Sequence, residues 1–101
     1  MNPAYKVLYP EAVRETVRAL LHRAAGLGIQ HEVAAALRTI DQQLRTDPTG
    51  YGDVYTHLLR WTKYHRAQRP LFLHYAVSRF RHDDQYLVYV SVIAPLSGHG
   101  L

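Results

Sequence analysis

The stretch PLFLHYAVSRFRHDDQYLVYVSVIAPL, residues 70–96, decides how this chain folds. It holds two runs rich in Val, Leu, Ile and Tyr, residues 71–80 and 85–94, separated by Arg81-His82-Asp83-Asp84. Branched and aromatic side chains fit the pleated surface of a sheet, and a short polar insert between two such runs marks a hairpin. The second run is apolar on both faces, which places it inside a sheet rather than at its rim. Pro70 opens the pair and Pro95 closes it, because proline has no N–H to give to a ladder.

Upstream, the hydrophobic period changes from two to between three and four. Val13, Val17, Leu20, Leu21 and Ala24 make one apolar stripe, and Ile29, Val33, Leu37, Ile40 and Leu44 make a second. Both predict amphipathic helices. Pro10 suits the first turn of the first helix, and Gly26 and Gly28 stop it. The link between the stripes is so short that the helices are expected to form an antiparallel hairpin. Asp47-Pro48-Thr49-Gly50 predicts a turn after the second helix. Tyr5 to Tyr9 reads as a short first strand.

Residues 53–61 fit a strand or a short helix, since the period cannot decide over so few residues. Residues 62–68 (TKYHRAQ) are polar and basic and read as a loop. The expected fold is therefore a two-layer α+β domain: an N-terminal strand, an antiparallel helical hairpin, then an antiparallel sheet, in the order βααβββ. The 101 residues suit one domain, residues 1–101, with a core over about 4–96 and a tail at 97–101.

Composition narrows the chemistry. The chain has no cysteine, so disulfides and thiolate chemistry are excluded and a reducing compartment fits. No secretory leader is visible at the N-terminus, and the longest apolar run is too short for a membrane span. The expectation is a soluble cytoplasmic protein with no membrane partner. Residues 1–50 hold six basic and five acidic residues, a balance of +1, whereas residues 51–101 hold six and three, a balance of +3. The basic excess thus belongs to the second half.

Between Asp53 and Asp83 there is no acid at all. The interval carries Arg60, Lys63, Arg66, Arg69, Arg79 and Arg81, four histidines (His57, His65, His74, His82) and the only tryptophan, Trp61. Basic and aromatic residues without acid suit a polyanion such as nucleic acid or an acidic protein. A solvated basic face is the plainer alternative. The histidines lack the spacing of a metal site, so no metal is expected. There is no GxxxxGK[ST], no GxGxxG after a strand and no GxSxG, so no cofactor is expected either.

Cleavage of an RNA backbone needs a base for the 2′-OH proton, an acid for the leaving oxygen and cations for the phosphorane. His65, His82 and His99 are candidates for proton transfer, and Arg60, Lys63, Arg79 and Arg81 for phosphate contacts. Trp61 or Tyr64 would stack a base. Against this, Trp61, Phe72 and Tyr75 are read first as core residues, and His74 as a histidine satisfied within its strand.

YKVLYPEAVRETVRALL, IQHEVAAALRTIDQQLRTDP and residues 70–96 together resemble the RelE/ParE toxin superfamily over about residues 4–96. The resemblance implies a toxin of a type II toxin–antitoxin system, neutralised by an acidic antitoxin. Some members of that family cleave mRNA on the ribosome and others inhibit gyrase. It matches Arg79 to a basic residue of the middle strands and His99 to a group near the C-terminus. Residues 85–94 carry no Lys or Arg, where the nucleases often have one. Two readings therefore stay open: a metal-independent endoribonuclease acting on mRNA, or a non-enzymatic interaction module that binds gyrase or an antitoxin, or a decayed homologue.

Overall fold

The apolar runs at residues 70–96 form a hairpin as their pattern requires, and the rest of the sheet is built around it. A computed structural model describes residues 4–97 and 100–101. The strands are β1 (Tyr5–Leu8), β2 (Asp53–His57), β3 (Trp61–Gln68), β4 (Leu71–Ser78) and β5 (Tyr86–Pro95). They make one sheet in the order β1-β5-β4-β3-β2. β5 lies inside the sheet, as its two apolar faces predict. Its partner β4 runs antiparallel, with Leu71 opposite Pro95 and Val77 opposite Val88.

The helices are α1 (Glu11–Leu27), α2 (Gln30–Thr46) and a single turn, α3 (Pro48–Tyr51). Gly28 ends α1 in the left-handed region at φ 76°, and the next amide, Ile29 N–H, reaches back to the Ala24 carbonyl at 2.9 Å. That is a glycine-dependent cap. Gly26 lies inside the helix, so only the second of the two glycines stops it. Asp47 caps α3 by accepting from the Gly50 amide at 3.2 Å.

Burial shows which face the helices cover. Val13, Leu20 and Ala24 of α1 and Val33, Ala36, Ile40 and Leu44 of α2 share one core with Leu71, Leu73, Tyr75 and Val77 of β4. Val88, Val90 and Ile93 of β5, Tyr64 of β3, Tyr51 of α3 and Val7 of β1 complete it. In a strand, alternate residues point to opposite faces. Phe72, His74 and Ala76 are therefore turned to the other face, away from the helices.

Three expectations need correction. Residues 62–68 are a strand and not a loop: β3 pairs with β4 along its whole length, from Trp61 opposite Ser78 to Gln68 opposite Leu71. Its polar look has a physical cause, since only Thr62 and Tyr64 are buried and its other side chains meet solvent or the rim. Residues 53–61 resolve into β2, a turn and the first residue of β3, so four strands follow the helices rather than three. The sheet is also not wholly antiparallel, because β1 pairs with β5 in parallel, Tyr5 opposite Tyr86 through Leu8 opposite Tyr89. Leu101, within the expected tail, packs half-buried against the core. No helix among the described residues is long and apolar enough to cross a membrane.

Candidate nucleic-acid interface on the open sheet face

With both long helices on one face, the opposite face of β2, β3, β4 and β5 is left uncovered by any described element. The alternation of β3 sends Lys63 and His65 to it, and the cross-strand register brings Lys63 opposite Ala76 and His65 opposite His74. The His65 and His74 rings lie 6.1 Å apart at 30°. Phe72 stands edge-on to His74 at 5.8 Å.

Tyr55 completes this cluster from a bulge in β2. Val54 faces Tyr64 and Thr56 faces Lys63, so Tyr55 is the extra residue of β2. The Tyr55 ring stands edge-on to both His65, at 6.2 Å, and His74, at 6.0 Å, and is 63% exposed. A second irregularity lies at the same level in β5, where Ser91 is the extra residue between Val90 and Val92. The Ser91 hydroxyl donates to the His74 carbonyl at 3.2 Å.

Shallow clefts run from this cluster to the end of the sheet. One of about 290 Å³ has Tyr55, Lys63, Phe72, His74 and Ala76 among its lining residues. The next, about 300 Å³, shares Lys63 and Ala76 and adds Leu58, Trp61 and Tyr89. The third, about 550 Å³, shares Trp61 and is bounded by Arg60, Phe80, Arg81 and His82. Shared walls make the three a single track over the open face, lined by aromatic and basic side chains with no acid. Asp53, opposite His65 in register, is the acid at its margin.

The acid-free interval is thus divided by the pleat. Lys63 and His65 lie on the open face, while Arg60, Arg81 and His82 lie at the hairpin end. Arg79 sits between the two turns there: its amide donates to the Arg60 carbonyl at 2.8 Å and its guanidinium reaches the Leu58 carbonyl at 3.4 Å. Arg66 belongs to the helix side, stacked over the Tyr51 ring at 5.0 Å. Arg69 lies at the far end with Ile29 and Glu32. His99 lies outside the described residues.

Three aromatic assignments change. Tyr64, a candidate for base stacking, is buried and stacked on Tyr75 at 5.3 Å, and burial pushes its phenol up from its ordinary range. Phe72 is half-buried on the open face rather than in the core, and Trp61 is half-buried along the track. Tyr75 is core, as expected. Tyr55 and His74 are site residues that sequence reading missed. The signal for His74 was present in the strict alternation Leu71, Leu73, Tyr75, Val77, which leaves His74 on the other face. Tyr55 had no such signal, because β2 is exposed along most of its length and its residues show no apolar alternation.

No group of three or more His, Asp or Glu among the described residues is placed to hold a metal. No known protein family, curated protein or solved structure matches this chain.

Proposed function

We propose that this protein is a RelE/ParE-like toxin that acts on translation by binding single-stranded RNA across the open sheet face. The observation that carries this reading is the cluster of Tyr55, His65, Phe72 and His74 beside Lys63, on the one sheet face that the helices leave bare. Exposed rings on a sheet stack successive bases, and a nearby ammonium group meets the backbone. The target that the family resemblance implies is mRNA on the ribosome, with an acidic antitoxin as the neutralising partner. His65 and His74 are the pair of proton-carrying groups that the geometry brings together; His82 stands apart at the hairpin end.

The test is expression of the chain alone. Growth arrest is expected, and the Lys63→Ala, His65→Ala, His74→Ala triple variant should relieve it at equal protein level. Arrest that persists in the triple variant would remove the site from this face.

One observation favours the second reading, an interaction module for a protein partner. Leu58, Leu59 and Phe80 are large, apolar and exposed around the two turns at the sheet end. Such a patch suits a protein surface. Binding of an acidic partner protein with no affinity for RNA would select that reading.

A further inference from the structure

We propose that the cleft at the hairpin end of the sheet is a binding site for a nucleoside monophosphate unit, with the phosphate on Arg60 and Arg81 and the base against Trp61 and Phe80. The cleft is the hairpin end of the track described above, and the assignment does not require that a strand occupy the rest of that track. The cleft has about 550 Å³ of space, within the roughly 300–1,000 Å³ usual for small-ligand sites.

Its charge is uncompensated. The ion pairs among the described residues are Arg14 and Arg18 with Glu11, and Arg45 with Asp41, all on α1 and α2. Arg60 has no side-chain partner among the described residues, and Arg81 rests only on the Tyr86 ring, 5.4 Å away. A guanidinium fork offers paired donors to phosphate oxygens, and stacking on a ring leaves its N–H groups free. The His82 imidazole also lines the cleft. Asp83 and Asp84, the nearest acids in sequence, form the tip of the turn and do not line the cleft.

The apolar side is as telling. Phe80 is 62% exposed, with no ring partner among the described residues, yet it faces the cleft together with Trp61 and Leu87. An unpaired aromatic face next to free guanidinium groups matches a base joined to a phosphate better than it matches an inorganic anion.

The walls are held in place. The Ser78 hydroxyl donates to the Phe80 carbonyl at 3.0 Å and accepts from the Leu87 amide at 2.8 Å. The Arg79 amide ties the Arg60 turn to the Phe80 turn. A site fixed in this way loses little freedom on binding.

Calorimetric titration of the full chain at low salt tests the assignment, with AMP, GMP, CMP and UMP, the matching nucleosides and inorganic phosphate as probes. At least one monophosphate should bind, and Arg60→Gln and Arg81→Gln should each weaken it about tenfold or more. Arg38→Gln, an equal loss of charge on the outside of α2, should leave binding unchanged. Phe80→Ala should weaken the nucleotide but not inorganic phosphate. Where Arg60→Gln lowers the melting temperature, Arg60→Lys keeps the charge and removes the fork, and should still weaken binding.

No monophosphate binding tighter than about 1 mM would overturn the site. So would arginine variants that behave like Arg38→Gln, or inorganic phosphate binding as tightly as the nucleotide. Competition by a single-stranded oligonucleotide identifies the ligand as one unit of a strand; nucleotide binding that the oligonucleotide does not displace identifies a free nucleotide. A chain that holds the mononucleotide but binds no RNA refutes the sheet-face reading alone. One that binds RNA but no mononucleotide refutes the cleft alone.

Discussion

At the scale of single residues, two places constrain the backbone. A Cβ on Gly52 would run into the Tyr75 hydroxyl and ring, and would press on Tyr64. Tyr75 cannot yield, since it is 1% exposed and its hydroxyl donates to the Pro48 carbonyl. Gly52→Ala should therefore destabilise the fold by about 1–3 kcal/mol, the usual cost of overpacking, read as a lower denaturant midpoint. Tyr75→Phe should cost about 1–3 kcal/mol by leaving a buried carbonyl unpaired. The second place is the β4–β5 turn, where Asp83 and Asp84 both have positive φ, 49° and 67°. Two such residues in a two-residue hairpin loop match the turn that Asn-Gly serves best. Asp83→Asn with Asp84→Gly should gain about 1 kcal/mol, because L-residues carry a penalty in the left-handed region; an unchanged melting temperature would contradict that. The site was legible at this scale only where the period of two held. That period gives the outward side of Phe72 and His74 as readily as the inward side of Tyr75, whereas Asp53-Val54-Tyr55-Thr56 has no apolar alternation that would separate its two faces.

At the scale of elements, long periodic segments were legible and mixed ones were not. Both helices and the β4–β5 hairpin follow from their apolar spacing. β3 does not, because it lies with one face on the core for only part of its length. A strand whose residues include Lys63, His65 and Arg66 resembles a loop until its neighbours are known. The contacts between elements carry a pH prediction. Tyr9, just after β1, donates to Asp41 of α2 at 2.7 Å, and Arg45 donates to the same carboxylate at 2.9 Å. Burial pushes the Tyr9 phenol well above its ordinary value, and its bond to Asp41 adds to the rise, so it remains a donor. Burial alone would raise the Asp41 carboxyl, but the bonds from Arg45 and Tyr9 outweigh it and hold the group below its ordinary value of 3.8. A carboxyl whose folded value is depressed stabilises the fold above its unfolded value, and that stability is lost as the pH falls through the folded value. Wild type should therefore exceed Asp41→Asn in stability at neutral pH, and the gap should shrink as the pH falls below 3.8. A gap that stays constant into acid would show that the tie does not depend on the charge. The carboxylate is about half exposed, so the effect is expected to be modest.

At the scale of the whole molecule, the parallel pairing of β1 with β5 joins residues about 80 positions apart, and no local pattern encodes such a contact. That pairing makes β1 one edge of the sheet and puts β5 inside it, while α1 and α2 contact β1, β3 and β5 from a single side. The result is a sheet with one covered and one open face, and the basic half of the chain supplies the open one. Salt dependence follows from this placement. Each phosphate neutralised by a cation releases counterions, which for a single strand contributes a slope of about −0.7 in log affinity against log salt. Lys63 on the face and Arg60 and Arg81 in the end cleft are three cations whose charge no described acid neutralises. Arg79 is drawn to the Leu58 carbonyl, Arg66 to Tyr51 on the helix side, and Arg69 lies off the track. A single-stranded oligonucleotide long enough to follow the track should therefore bind with a slope of about −2, three contacts at roughly 0.7 each. Lys63→Ala should weaken binding uniformly across sequences and reduce the slope by about 0.7, whereas Arg66→Ala should leave the slope unchanged. A slope near zero, or one that Arg66 changes as much as Lys63, would mean that the strand does not follow the open face. The exposed Leu58, Leu59 and Phe80 would then be the better guide to what this surface binds.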